Sequence, residues 1–123
     1  MDYNFSKDEK LKSRKIIDQI FSEGRVVKSF PIRIQFSFHS LAHLPICQMG
    51  VSVPKRNFKR AVDRNRIKRQ IREAFRLNKH EFYAQLDASD KHISMMIIFT
   101  SKDKMEYNAI EKSLKKALSL IRM

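Results

Sequence analysis

The stretch Lys59–Arg76, KRAVDRNRIKRQIREAFR, holds the densest set of chemically capable groups in the chain. In the wider window Lys55–Lys79, eleven cations stand against two anions, Asp63 and Glu73, a net of +9 out of +13 for all 123 residues. Arginine dominates, and its planar fork grips phosphate oxygens two at a time. Asn65, set among arginines, can donate to a phosphate or a 2′-hydroxyl, or accept from a neighbouring guanidinium. The chemistry offered is neutralisation of a polyanion. Groups suited to bond-breaking are sparse. Of the four histidines, His39 and His43 have a spacing that metals use, but no Cys or carboxylate accompanies them. Asp87 and Asp90 lie in a polar connection. Gly24 and Gly50 stand alone, so there is no glycine-rich phosphate loop. Cys47 is the single cysteine, which removes a disulfide framework and a Cys zinc cluster and suits a reducing compartment. The expectation is a chain with no catalytic residue and no metal ligand of its own.

At 100° per residue, Ile67, Ile71, Ala74 and Phe75 fall in one sector about 100° wide. That sector is the expected core face. Asn65, Lys68, Arg69, Arg72 and Arg76 fall in the next sector, with Arg64 at its border. Asp63, Arg66, Gln70 and Glu73 take the remaining side. Arg64, Lys68, Arg72 and Arg76 follow one another at i+4, which stacks like on like and costs helix stability when nothing is bound. A solvated face would interleave signs. A membrane-surface helix would place large apolar residues beside its cations, and here the apolar stripe is committed to the core.

The elements that must position this helix follow from periodicity. Residues 1–11 read as a flexible arm, with a possible capping box at Ser6 and Glu9. Ser13 can cap a helix whose apolar face is Ile16, Ile17, Ile20 and Phe21, closed at Gly24. IRIQFSF alternates: Ile32, Ile34, Phe36 and Phe38 point one way, Arg33, Gln35 and Ser37 the other. Residues 39–45 form a turn. ICQMGVSV is a second strand, with Gln48, Gly50 and Ser52 on its non-core face, and Pro54 ends it. The basic helix is expected from about Lys59 to Asn78. HISMMIIFT is a third, more buried strand. Asp103 is expected to cap a last helix with the stripe Ile110, Leu114, Ala117, Leu118 and Ile121. Three strands and three helices in this order define an α+β or α/β chain with a small mixed sheet, one domain at this length.

Composition narrows the partner. The chain is 42% hydrophobic with two glycines and three prolines, so it can bury a core and is not linker-like. Its charge favours nucleic acid first and an anionic membrane second, ahead of a merely soluble basic protein. No apolar run approaches the ~18 residues of a membrane span, and residues 1–10 lack a signal-peptide core; a cytoplasmic protein without membrane association is expected.

GVSVPKRNFKRAVDRNRIKRQIREAFR, residues 50–76, closely resembles the signature of the bacterial ribonuclease P protein component. Its core is Arg64, Asn65, Arg66, Lys68, Arg69 and Arg72, preceded by Ser52, Lys55 and Arg56. The resemblance implies a four-stranded mixed sheet packed with three helices and a left-handed βαβ crossover, the fourth strand arising by a split of the region before Ser52. It implies binding of a catalytic RNA subunit through Arg60, Arg64, Asn65, Arg66, Lys68, Arg69, Arg72 and Arg76. It further implies a cleft for the 5′ leader of precursor tRNA, lined by Ile17, Phe21, Arg33, Gln35, Ser52, Lys55 and Arg56. In that family the RNA carries the active site and holds the Mg²⁺, and no protein partner is needed. The family often has two aromatics four residues apart on the first helix; here Ile17 replaces one. Phe21 is then either a stacking ring or a core aromatic. The rival readings are a ribosomal protein, a general RNA chaperone or a DNA-binding module, all of which show the same charge.

Overall fold

The computed structural model describes residues 10–11, 14–39 and 45–122. Helix α1 (Arg14–Glu23) is followed by strands β1 (Arg25–Ser29), β2 (Ile32–His39) and β3 (Cys47–Ser52), helix α2 (Ala61–Ala88), strand β4 (His92–Phe99) and helix α3 (Tyr107–Leu120). The four strands form one mixed sheet in the order β1-β2-β4-β3. β1 and β4 each run antiparallel to β2, and β3 runs parallel to β4 with α2 as the crossover between them. The α+β class and the four strands agree with the expectation.

Alternation decides what each face of the sheet meets. Ile32, Ile34 and Phe36 of β2, Cys47 and Met49 of β3, and Ile93, Met95, Ile97 and Phe99 of β4 all point to one side. There they pack against Ile67, Ile71, Ala74, Phe75, Phe82 and Leu86 of α2 and Ile110, Leu114, Ala117 and Leu118 of α3. The opposite side is covered only in part, by Leu11 and by α1 through Ile16, Ile17 and Ile20, over Met96 and Ile98 of β4. Gly24 holds the corner between α1 and β1. A Cβ there would collide with the carbonyl oxygen of Ile20 and sit 2.8 Å from that of Phe36.

Three expectations are corrected. The fourth strand is β1, upstream of Ile32, and neither expected strand is split. RVVKS is an edge strand whose residues are mostly exposed, so the apolar-polar contrast that marks a half-buried strand is missing. Helix α2 runs ten residues past Asn78, because Phe82 and Leu86 continue its buried face. Lys79 interrupts the apolar pattern and is itself buried, its ammonium 5.5 Å from the Tyr83 ring centre. The helix ends in a paired carbonyl cap: Lys91 N–H donates to Leu86 O (3.0 Å) and Asp90 N–H to Asp87 O (3.1 Å), with Asp90 at φ 53°. Asp103 does not cap α3. Its N–H instead donates to the Ser101 hydroxyl oxygen (3.0 Å) in a tight turn, and the N-cap of α3 is Glu106. The expected Ser13 cap, the Ser6–Glu9 capping box, most of the N-terminal arm and the residue 40–44 turn lie outside the described residues.

Candidate nucleic-acid interface

On α2 the apolar sector is where the periodicity puts it: Ile67, Ile71, Ala74 and Phe75 are at most 2% exposed. The flank beside it carries Asn65, Lys68, Arg69 and Arg72, and Arg66 lies further round. None of these five side chains makes a hydrogen bond or ion pair with any described residue. Two members of the expected set behave differently. Arg64 donates from Nη1 to the carbonyls of Phe58 and Lys59, both at 2.8 Å, and so braces the loop entering the helix. Arg76 is clamped by Glu73, Nε donating at 3.0 Å, so the acids are less segregated from the cations than the helical wheel suggests. The Arg76 guanidinium holds the Glu73 carboxyl below its ordinary pKa. Asp63 is likewise lowered, chiefly by Lys104, whose ammonium lies 2.9 Å away. Both acids of this segment are therefore engaged by cations, and neither neutralises Lys68, Arg69 or Arg72. Arg60 is exposed at the N-cap.

The side of the sheet beneath α1 is assembled by register. Arg33 of β2 stands opposite Ile98 of β4, which stands opposite Ser52 of β3; the next row is Gln35, Met96, Gly50, and the next Ser37, Ser94, Gln48. Lys28 and Val26 of β1 extend the first two rows. Arg33, Gln35 and Ser52 are thus brought onto one surface, on the side that Ile17 packs against. Three polar atoms on this surface, Arg33 Nε, Gln35 Oε1 and Gln48 Oε1, are buried without a hydrogen-bond partner among the described residues. Such groups cost free energy unless something satisfies them. Phe21 is not a core aromatic: it is 47% exposed at the C-terminal end of α1. Lys55 and Arg56 are exposed in the loop after β3, and Arg56 shares a hollow with Asn57, Thr100 and Lys102.

The two surfaces meet. Arg72 of α2 lines a depression of about 260 Å³ with Lys10, Leu11, Gly50 and Met96 at the β3 edge. Gly50 lets the Met96 thioether lie across the sheet, since a Cβ there would come within 2.9 Å of Met96 Cε. Sequence reading put Gln48 and Gly50 on the non-core face without giving them a role, and left out Met96 because β4 reads as uniformly apolar. The signal for all three is cross-strand register, which local sequence does not carry.

Two of the histidines take part in structure. His39 and His92 face each other across β2 and β4 with ring centres 6.0 Å apart. His39 Nε2 lies 3.0 Å from Ser94 Oγ, and His92 Nδ1 donates to Pro45 O at 3.2 Å. His43 lies outside the described residues. Among the described residues, no three His, Cys, Asp or Glu side chains come together to hold a metal ion. No helix among them is long and apolar enough to cross a membrane.

This architecture, a basic mixed sheet with α2 as the parallel crossover, is a known one. The *Staphylococcus aureus* RNase P protein shares the fold at a TM-score of 0.72 and 24% identity, covering 91% of this chain and 94% of that one. The *Thermotoga maritima* RNase P protein shares it at 0.72 and 22%, covering 94% and 99%. The ribonuclease P family matches residues 5–122, and the ribonuclease P protein component of *Porphyromonas gingivalis* strain W83 is 34% identical over 116 residues, spanning 94% of this chain and 85% of that one. The chain belongs to the ribonuclease P protein component family, whose ribonucleoprotein processes tRNA.

Proposed function

We propose that this chain is the protein subunit of ribonuclease P, that it binds the catalytic RNA subunit, and that it holds the 5′ leader of precursor tRNA while the RNA removes it. The flank of Lys68, Arg69 and Arg72, with Arg60, Asn65 and Arg66, meets phosphates of the RNA subunit. Arg64 positions the entering loop, and Arg76 contributes once Glu73 releases it. The surface of Arg33, Gln35 and Ser52, bounded by Ile17, Phe21, Lys55 and Arg56, takes the leader. Phe21 supplies a stacking ring, while Arg33 and Gln35 offer a donor and an acceptor to the nucleotide. The Mg²⁺ of the hydrolysis is held mainly by the RNA. This chain binds and orients, residues 1–123 acting as one cytoplasmic RNA-binding domain with no protein partner required.

The observation that carries this reading is the α2 flank whose cations are left unneutralised beside a fully committed core stripe. A helix so arranged is strained by its own charge until a polyanion binds. The test is reconstitution with the RNA subunit from the same organism and a precursor tRNA. The protein should accelerate leader removal at low Mg²⁺. Equal stimulation of unrelated RNAs would instead make it a general RNA chaperone.

A further inference from the structure

The net charge of +13 comes from two blocks. Lys55–Lys79 supplies +9, and Lys112, Lys115, Lys116 and Arg122 supply +4 with no acid among residues 112–122. The eleven remaining cations are equalled in number by eleven acids over the rest of the chain. The second block belongs to α3. That helix buries Ile110, Leu114, Ala117 and Leu118, which leaves Lys112, Lys115 and Lys116 exposed on its outer face and Arg122 exposed just beyond. The one acid within α3, Glu111, is drawn into the seam with α2, where its carboxylate accepts from Asn78 Nδ2 (3.0 Å) and the Tyr107 hydroxyl (3.2 Å). The three lysine ammonium groups make no hydrogen bond or ion pair with any described residue. Helix-dipole stabilisation does not account for them, because it acts in the last turn and the last turn of α3 has no cation. Their i+3 and i+4 spacing is mutually repulsive.

This face is separate from the flank of α2. The Arg72 side of α2 overlooks the β3 edge, whereas α3 packs over β1 and β2, at the other side of the sheet. Between them runs a groove lined by Lys115 and Leu118 of α3 and by Leu77, Glu81 and Gln85 of α2. Residues 80–90, the last turns of α2 and its cap, hold Glu81, Asp87 and Asp90 and no Lys or Arg, so no run of cations along α2 joins the two surfaces.

We propose that the lysine face of α3 is a second RNA-backbone contact, engaging a stretch of RNA that the α2 flank does not reach. The proposal rests on the reading that this chain binds RNA. Lysine ammoniums are point charges on flexible stems, suited to phosphates without regard to sequence. A lipid surface is the poorer fit, because Leu120 is the one large exposed apolar residue of α3 and interfacial helices need an apolar face to insert.

The test compares two full-length variants, Lys112→Gln/Lys115→Gln/Lys116→Gln and Arg69→Gln/Arg72→Gln, with the parent. Binding of the RNA subunit alone, and of precursor tRNA by the reconstituted holoenzyme, is measured from 50 to 200 mM salt. The α3 variant should flatten the slope of log K against log salt by about 2 for one of the two RNAs, and weaken that binding roughly tenfold at the low-salt end. The RNA affected identifies the backbone that α3 meets. A Lys→Arg triple at the same sites should keep the parental slope. If the α2 variant flattens a slope and the α3 variant flattens neither, the α3 contact is wrong and the proposed function stands. If neither variant changes either slope, both readings fall. If the α3 variant loses only binding to phosphatidylglycerol vesicles, the face belongs to a membrane and the proposal is overturned.

Discussion

The two faces of the central sheet are made by the same strands and obey opposite rules. On one, Ile32, Ile34, Phe36, Cys47, Met49 and Met95 are at most 3% exposed, and α2 and α3 close over them completely. On the other, Met96 and Ile98 form a smaller buried cluster with Leu11 and Ile20, and around them stand Arg33, Gln35, Ser37, Gln48 and Ser52. A sheet held only by its core would gain by making the second face apolar too, since each buried unpartnered polar atom costs about 1–3 kcal/mol. Instead three such atoms cluster there. The first face keeps the fold; the second gives up stability where the proposed function places the leader.

The largest effect expected from this contrast is at Phe75, which is fully buried between α2 and the sheet. Phe75→Ala should lose about 3–5 kcal/mol of unfolding free energy, read by urea titration, while RNA affinity under conditions where the variant stays folded is preserved. A parental melt combined with lost RNA affinity would reverse the assignment of faces on α2.

Next is the hinge that sets α1 over the polar face. Gly24→Ala forces a methyl against the Ile20 and Phe36 carbonyl oxygens, and backbone cannot move aside as a flexible side chain can. The cost should be about 1–3 kcal/mol, and displacement of α1 should weaken precursor binding along with it. Loss of stability with unchanged precursor binding would detach α1 from the proposed cleft.

Why the two faces differ in legibility is clear from particular residues. The core side of α2 and the alternation of β2 were readable, because periods of 3.6 and 2 sit in contiguous sequence. The cationic flank was readable for the same reason. β1 was not, since an exposed edge strand has no apolar contrast. Nor was the end of α2, where buried Lys79 breaks the stripe before Phe82 and Leu86 resume it. The polar face was half readable: parity places Arg33, Gln35, Gln48 and Ser52 away from the core, but the row that joins Gln35 to Met96 and Gly50 is a tertiary fact. The pairing of Arg76 with Glu73 and the bracing bonds of Arg64 also depend on rotamers and loop path that spacing does not specify.

Phe21 separates binding from stability more cleanly than any core residue. Its ring is half exposed, so Phe21→Ala should leave the melt almost unchanged. Stacking on a leader base contributes on the order of 1–3 kcal/mol, so the holoenzyme should bind precursor tRNA roughly 5- to 150-fold more weakly, with mature tRNA binding unaffected. Equal losses for both ligands would remove Phe21 from the leader site.

The smallest stability change, and the sharpest test of the contrast, is at Gln35. Its Oε1 is buried on the α1 side with no hydrogen-bond partner among the described residues, one row from Arg33. Leucine has a similar size and removes the unpartnered acceptor. On the core face an apolar-to-polar exchange would be severe; here the polar-to-apolar exchange should cost nothing and can add up to about 1 kcal/mol of stability, because replacing an unsatisfied polar group relieves its desolvation penalty. The same variant should bind precursor tRNA more weakly than the parent, since the leader loses a hydrogen-bond acceptor. Stability that rises while leader affinity falls would show that the polar face is kept for its ligand. If Gln35→Leu instead lost stability and left precursor binding unchanged, the glutamine would be serving the fold, and the division between the two faces would fail at its centre.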